Sequence, residues 1–211
     1  GYVFFMNPKI NEKLRDILNY WGKFLQTPDS TYVLNASKNG CLSDYALNEM
    51  AKVADGDKFT TIFKCASEDR EKHLGFTSWV NFFTRLFNPG IRPVQDPDDP
   101  DFIANACESA PFRIAHDLPM KAKFWIKGQP YSLMDLLHND PLTSKFVGGT
   151  LYQAFLSALS YHRWNSPVSG TVVKDYNLYG SYYSETLPQG FENPNSPDPA
   201  APNDFQAYIT E

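Results

Sequence analysis

The chain has 211 residues, 42% of them hydrophobic and 15% aromatic, so it can bury one sizeable core, alone or with a smaller satellite. The formal net charge is -5 and the basic residues are scattered, which argues against nucleic acid as a partner. No apolar run approaches the roughly 20 residues of a transmembrane segment, and no signal peptide is recognisable. We therefore expect a soluble, cytoplasmic protein, although secretion with signal cleavage stays open.

The three cysteines lie far apart and show no Cys-x-x-Cys spacing, which argues against a zinc site and against a disulfide framework. Unpaired thiols favour a reducing compartment, in agreement with a cytoplasmic protein. No metal site is expected.

The amino-terminal part of the sequence predicts a series of helices. Asn7 followed by Pro8 is a helix-start signal, and the apolar residues that follow recur at helical spacing. Such a stripe predicts an amphipathic helix whose apolar face packs in the core. The predicted helices cover residues 8–26, residues 43–54, and a segment from residue 77 to the turn at residues 88–90.

The second half of the chain predicts mainly sheet. A variant of the capping box, from Ser132 to Asp135, opens a short helix that runs to residue 138. Apolar and alternating patterns predict strands, and a proline-rich stretch predicts a long surface loop before the last of them. The predicted strands cover residues 150–159, 170–183 and 205–210, and the loop covers residues 188–203.

Residues 95–101 are rich in Asp and Pro and predict a linker. We place a domain boundary there, between a helical amino-terminal extension over residues 1–94 and a β-rich domain over residues 95–211. Because the final strand has no following partner, we expect the β-rich domain to be incomplete at its carboxyl end. The predicted fold class is α+β, a helical amino-terminal region packed on a mixed, mostly antiparallel β region.

A catalytic candidate follows the strand predicted at residues 150–159. Tyr161-His162-Arg163 precedes a turn rich in Ser, Pro and Gly, and loops beside regular elements often carry catalytic groups. Imidazole changes its protonation near neutral pH, so His162 can serve as a general acid or base. A structural histidine whose nitrogens bond to the backbone is the alternative, and the sequence leaves both interpretations open.

Five motifs in order over residues 82–170 resemble those of phosphatidylserine decarboxylases. FFTR at residues 82–85 and PGIRP at residues 89–93 are similar to the family signatures FFxR and G-x-R-P. The motifs KGQPYSL, FVGG and YHR follow and begin at Lys127, Phe146 and Tyr161. The helical extension and the ACESAP segment at residues 106–111 resemble the fungal branch of the family that decarboxylates aromatic amino acids such as L-tryptophan.

The resemblance implies a proenzyme that cuts itself at a Gly-Ser bond and converts the serine into a pyruvoyl group. This carbonyl condenses with the substrate amine and accepts electrons when carbon dioxide leaves. An acid, a histidine and the cleaved serine act as a triad in self-cleavage. The first histidine of the family motif YHR-x-H, here His162, is implied in the decarboxylation step.

The chain departs from the family pattern at three points. Asn165 stands where the motif has its second histidine, and an amide cannot take a proton from a serine hydroxyl. Glu108 is the acid nearest to the position of the triad aspartate and can replace its charge. The pyruvoyl-forming serine is not expected in this chain, because its only Gly-Ser pair, Gly180-Ser181, lies in a predicted strand. The candidate catalytic residues are therefore His162, Glu108 and Asn165.

Two functions remain open. In the first, the chain is a beta-chain-like portion of a pyruvoyl-dependent aromatic amino-acid decarboxylase, inactive alone, which needs a carboxyl-terminal alpha-chain segment or self-association. Phe112, Trp125 and Trp164 then line the pocket for a small-molecule amine, although all three are also typical of core packing. In the second, the chain is a non-catalytic descendant that acts as a binding, defence or cytotoxic protein.

Overall fold

The structure is a computed structural model and describes residues 2–121, 124–126, 129–178 and 180–182. The described residues contain helices and strands, so the predicted α+β class is confirmed. The loop predicted at residues 188–203 and the strand predicted at residues 205–210 lie outside the described residues.

Helices predominate before residue 90 and short strands after it. The α-helices are α1 (Tyr2–Phe5), α2 (Pro8–Phe24), α3 (Asp44–Val53), α4 (Phe59–Ile62), α5 (Trp79–Phe83) and α6 (Leu133–Leu136). Short 3-10 helices cover Pro28–Val33, Arg70–Gly75 and Pro141–Phe146. The strands are β1 (Ala110–Ala115), β2 (Phe124–Ile126), β3 (Gln129–Tyr131) and β4 (Leu151–Phe155).

Helix α2 confirms the helix predicted at residues 8–26 but not the burial of its apolar face. Asn7 accepts a hydrogen bond from the backbone of the first turn, as its helix-start signal predicts. No residue of α2 is buried, and Ile17, Leu18 and Trp21 are 62%, 50% and 50% exposed. The predicted core-facing stripe is wrong, because helical spacing identifies an apolar face without specifying what covers it.

Helices α3 and α5 begin at serine caps. The Oγ atoms of Ser43 and Ser78 each accept a hydrogen bond from the backbone N–H three residues later, at 3.2 Å and 3.1 Å. The second predicted helix is therefore confirmed as α3, while the third is shorter than predicted. It ends at Phe83, and Phe87 lies instead opposite Phe63 in an isolated antiparallel β-bridge.

The main core is rich in phenylalanine. The ring of Phe63 is fully buried and lies 4.8 Å from the ring centre of Phe59 and 5.3 Å from that of Phe87. Aromatic pairs at such separations add about 0.5–1.5 kcal/mol each to the energy of burial. The buried apolar side chains of this core are Leu34, Leu42, Leu47, Met50, Ala51, Ala54, Phe59, Ile62, Phe63, Leu74, Phe76 and Phe82.

The described strands form two separate two-stranded sheets. β1 pairs with β4, and β2 pairs antiparallel with β3, with Trp125 opposite Pro130. The strand predicted at residues 150–159 is confirmed as the shorter β4. The predicted capping box is also confirmed, because Ser132 and Asp135 exchange side-chain to backbone hydrogen bonds at the start of α6.

The strand predicted at residues 170–183 is wrong for the residues described there. Residues 170–178 and 180–182 have no regular secondary structure, and Val172 and Val173 are 81% and 84% exposed. Alternation of residue types satisfies the period of a strand, but a stable strand also needs a neighbour that pairs with its backbone. The described second half therefore contains short strands and loops, not mainly sheet.

The chain forms two compact units. The helical unit comprises residues 11–110 and 156–180 and contains the main core. The strand unit comprises the described parts of residues 1–10, 111–155 and 181–211, and buries Leu118 and Leu133. The domain boundary expected at residues 95–101 stays a prediction.

Candidate active site

Arg85 is a buried cation in the main core. Its side chain is 3% exposed, and its guanidinium carbon lies 4.3 Å from the ring centre of Phe63. The ring centres of Phe59 and Phe82 lie 5.5 Å and 5.4 Å from the same atom. The faces of these three rings, the aromatic cage, attract the positive charge that burial has removed from water.

The Arg85 guanidinium also bonds to the segment that precedes His162. Its Nη2 atom donates hydrogen bonds to the backbone oxygens of Leu159 at 2.8 Å and Ser160 at 3.3 Å. Bonds from a charged donor to a carbonyl are stronger than bonds between neutral groups. Arg85 therefore connects the aromatic cage to a loop more than seventy residues later in the chain.

Burial shifts the titration of Arg85 and its neighbour Cys65 in opposite directions. Loss of water around the guanidinium lowers the pKa of Arg85 to about 10, and the negative form of Cys65 partly opposes that shift. Burial of the thiol raises the pKa of Cys65 to about 11, and the Arg85 charge partly opposes this shift. At neutral pH Arg85 is thus still a cation and Cys65 a neutral thiol.

The YHR motif packs residue by residue on the last residue of α5 and on the segment that follows it. The ring of Tyr161 stacks on Phe87 with 3.9 Å between ring centres. The ring of His162 stacks on Phe83 at 4.1 Å. The Nε atom of Arg163 donates a hydrogen bond to the backbone oxygen of Thr84 at 2.7 Å.

His162 is half-buried and has one nitrogen fixed by the backbone. Its Nε2 atom lies 3.0 Å from the carbonyl oxygen of Ser157. Because a carbonyl only accepts hydrogen bonds, Nε2 carries the proton in the neutral ring and Nδ1 has the free lone pair. Among the described residues no hydrogen bond reaches Nδ1. The geometry thus combines the two interpretations of the sequence, with one nitrogen structural and the other available.

Glu108 forms an ion pair with Arg92 from the PGIRP motif. The Nε atom of Arg92 lies 3.3 Å from Oε2 of Glu108, and Nη2 of Arg92 donates to the backbone oxygen of Ala54 at 2.7 Å. The two side chains are 40% and 28% exposed. The predicted acid is therefore partly screened by solvent and already has a cationic partner.

Asn165 lies beside the segment that carries Glu108, because Cys107 and Trp164 form an isolated antiparallel β-bridge. The backbone N–H of Asn165 donates to the oxygen of Ala106 at 2.9 Å. Its side-chain amide is exposed and donates to the oxygen of the next residue at 3.1 Å. No hydrogen bond described in this region joins Asn165 or His162 to the Glu108 carboxylate.

The three residues predicted to line a substrate pocket fall in both units. Trp164 belongs to the helical unit and is 82% exposed. Phe112 is a half-buried residue of β1, and Trp125 belongs to β2, both in the strand unit. Their contact with a substrate stays a prediction.

The residues that support His162 were not predicted from the sequence. FFTR and YHR are separate signatures there, whereas the structure brings them together through Phe83, Thr84 and Arg85. Likewise, PGIRP contributes Arg92 as the partner of Glu108. The signal available in the sequence was an arginine amid apolar and aromatic residues at positions 82–87, which is atypical of a solvated surface.

These features define a class of protein, an α+β protein in which a histidine loop packs on an aromatic, arginine-bearing segment. Residues 79–199, which include the FFTR and YHR motifs, match the sequence model of phosphatidylserine decarboxylase. Residues 1–50 match a second model that bears the same description. The chain belongs to the phosphatidylserine decarboxylase family.

The most informative relatives are fungal. The chain is 41% identical over 210 residues to Decarboxylase iboD of Amanita muscaria, which covers 98% of this chain and 57% of the relative. It is 36% identical over 193 residues to the L-tryptophan decarboxylase of Psilocybe cubensis, covering 88% of this chain and 44% of the relative. Phosphatidylserine decarboxylase proenzyme 3 of Schizosaccharomyces pombe is 34% identical over 111 residues, 52% of this chain and 11% of the relative. The chain spans about half the length of the two fungal decarboxylases named first.

Members of this family depend on a pyruvoyl group. The described residues do not fit the formation of that group from Gly180-Ser181, the only Gly-Ser pair of the chain. Both residues are exposed, and no described hydrogen bond links the Ser181 hydroxyl to a base. Asn165, at the position of the second family histidine, has no basic nitrogen.

Two kinds of feature are absent from the described residues. No helix among them has the length and apolar character needed to cross a bilayer. No three His, Cys, Asp or Glu side chains in the same part of the chain are grouped so that they could bind a metal ion.

Proposed function

We propose that this chain is the histidine-bearing portion of a decarboxylase that acts on aromatic amino acids, and that a separate carboxyl-terminal segment provides the pyruvoyl group. The family assignment and the similarity to an L-tryptophan decarboxylase support this proposal. The observation that carries it is His162, whose ring is fixed by Phe83 and Ser157 while no hydrogen bond from a described residue reaches Nδ1.

The chemistry assigns His162 a proton-transfer role. When the bond between the α-carbon and the carboxylate breaks, carbon dioxide leaves and its electron pair remains with the α-carbon. A proton must then replace the carboxylate, and a positioned imidazole typically accelerates such a transfer by about 10²–10⁴-fold. We assign Nδ1 of His162 to take up a proton from solvent and to deliver it to the α-carbon, which leaves the imidazole neutral again. Nε2 already donates its proton to the carbonyl oxygen of Ser157.

Aromatic side chains are proposed to bind the substrate ring. Phe112, Trp125 and Trp164 are the candidates, and offset stacking of rings favours aromatic substrates over aliphatic ones. Glu108 and Asn165 are proposed to stand at the positions of the family's triad acid and second histidine. Self-cleavage is not assigned to them, because the Asn165 amide has no basic nitrogen and the Glu108 carboxylate is paired with Arg92. The cytoplasmic location stays a prediction.

The experiment joins this chain to the carboxyl-terminal part of the Psilocybe cubensis enzyme that it does not match. Carboxyl-labelled tryptophan, tyrosine and phosphatidylserine are supplied separately, and labelled carbon dioxide is counted. The proposal expects release from an amino acid and a loss of about 100-fold in His162→Gln. His138→Gln, an exposed histidine of the strand unit, should keep full activity.

Two outcomes would overturn the proposal. Release from phosphatidylserine alone would contradict the substrate class. No release from any substrate, while the complete Psilocybe cubensis enzyme is active in the same assay, would favour the non-catalytic binding function. The exposed amide of Asn165 in place of a basic side chain is the observation that favours this second function.

A further inference from the structure

We propose that Arg85 and Phe83 are positioning residues that together fix the tautomer and the ring orientation of His162. Neither residue is assigned a contact with substrate. The effect on catalysis rests on the proposed function, whereas the effect on the imidazole itself does not.

Arg85 acts on the loop that bonds to the imidazole. The carbonyl of Ser157 accepts two hydrogen bonds, from Nε2 of His162 at 3.0 Å and from the backbone N–H of Ser160 at 3.0 Å. Arg85 donates hydrogen bonds to the oxygens of Leu159 and Ser160, which lie between Ser157 and His162 in the chain. If the Arg85 bonds are lost, the turn from residue 157 to residue 160 loses its anchor and the acceptor of His162 moves.

Phe83 acts on the plane of the imidazole. The two rings are 4.1 Å apart with 28° between their planes. Phe83 also stacks on Trp79, with 4.6 Å between the ring centres and 14° between the ring planes. Because Trp79 and Phe83 belong to α5, the stack holds the His162 ring in a fixed orientation against this helix.

The guanidinium of Arg85 is not explained by stability alone. Its Nε atom is buried and has no hydrogen-bond partner among the described residues. An apolar side chain of similar volume would fill the aromatic cage without the cost of removing a charge from water, and such replacements are often neutral or stabilising. The two bonds to Leu159 and Ser160 are what an apolar residue cannot supply. We therefore assign the Arg85 cation the role of holding the backbone at Leu159 and Ser160 in place.

The test is a nitrogen NMR experiment on the full chain labelled with ¹⁵N-histidine. The chain has four histidines, so His162→Gln assigns the relevant signals directly. The native chain should show neutral His162 as the Nε2–H tautomer alone. In Arg85→Met the acceptor is displaced, and a mixture of the two tautomers is expected. Arg85→Lys keeps a cation that can reach one carbonyl and should restore most of the native pattern.

Phe83→Leu is the second variant and leaves the aromatic cage intact. It should remove the ring-current shift of the His162 carbon-bound protons, and this readout applies even if Arg85→Met does not fold. A native tautomer in folded Arg85→Met would overturn the role of Arg85, and unchanged proton shifts in Phe83→Leu would overturn that of Phe83.

Activity of the joined chain separates this proposal from the proposed function. Arg85→Met should lower kcat about tenfold with little change in KM, because misplacement of a catalytic group mainly affects the chemical step. Altered tautomers together with no activity in any joined chain would contradict the proposed function alone. An active Arg85→Met with native kcat and a native tautomer would contradict the positioning role of Arg85 and leave the proposed function intact.

Discussion

Arg85 shows how a charge can be kept in a core. Removal from water is unfavourable for a guanidinium, and the fall of the Arg85 pKa to about 10 reports that cost. Three ring faces and two backbone oxygens offset it. Truncation of this side chain would therefore empty the aromatic cage and remove the Arg85 hydrogen bonds to the carbonyls of Leu159 and Ser160.

Arg85→Ala should therefore lower the free energy of unfolding by about 3 kcal/mol, as expected for loss of charged hydrogen bonds and cation–π contacts together. Urea unfolding followed by tryptophan fluorescence measures this change. Arg15→Ala is the matched control, since Arg15 lies on α2 with half of its side chain exposed. It should change stability by less than about 0.5 kcal/mol. Equal effects of the two substitutions would contradict the buried role of Arg85.

Cys65 gives a prediction for alkaline pH. Its pKa rises from 9.0 to about 11 in the folded chain, so between these values the folded state binds more protons than the unfolded state. The free energy of unfolding then falls as pH rises through that range. Below pH 9 the contribution of the protonated Cys65 thiol to stability is fully present. Because Arg85 itself has a lowered pKa and acts in the opposite direction above pH 10, a difference measurement is needed.

The difference is taken between the native chain and Cys65→Ala at each pH. The stability of the native chain relative to the variant should decrease from pH 9 to pH 11, as measured by urea unfolding. A constant difference across this range would mean that the Cys65 thiol titrates alike in both states.

At the scale of elements, short-range chemistry decides where helices start. The caps at Ser43 and Ser78 bond to the N–H three residues later, a pattern that is legible in sequence. The same is true of the capping box of α6. Helix ends were less predictable. Helix α5 stops at Phe83, and the following segment leads into the pairing of Phe87 with Phe63, a residue that is remote in sequence.

Ser43→Ala should lower the stability by about 1 kcal/mol, the usual cost of a lost N-cap. Chemical unfolding of the chain measures it. Asn48→Ala, on the exposed side of the same helix, should leave stability unchanged or slightly higher, since alanine has the better helix propensity. A smaller loss in Ser43→Ala than in Asn48→Ala would contradict the role of the Ser43 cap.

The failures at this scale have a common physical cause. The apolar face of α2 and the alternating pattern of residues 170–178 are correct descriptions of local periodicity. Neither pattern specifies which other part of the protein packs against it. In the described structure α2 has no buried residue, and residues 170–178 have no regular secondary structure.

At the scale of the whole molecule, the sequence supplied the motifs but not their pairing. His162, Glu108 and Asn165 were predicted, and the structure places all three in the helical unit. Contacts such as Arg163 to Thr84 join residues 79 positions apart, and no local rule specifies them. Phe83, Arg85 and Arg92 became candidates only once these distances were known.

The central claim is that the FFTR and YHR motifs form one cooperative unit around His162. A double-mutant cycle tests it most directly, with the free energy of unfolding measured for the native chain, Phe83→Leu, His162→Gln and the double variant. Stacked rings in contact predict a coupling energy of about 0.5–1.5 kcal/mol. Single effects that add to within about 0.3 kcal/mol would show that the two side chains are energetically independent, contrary to this account.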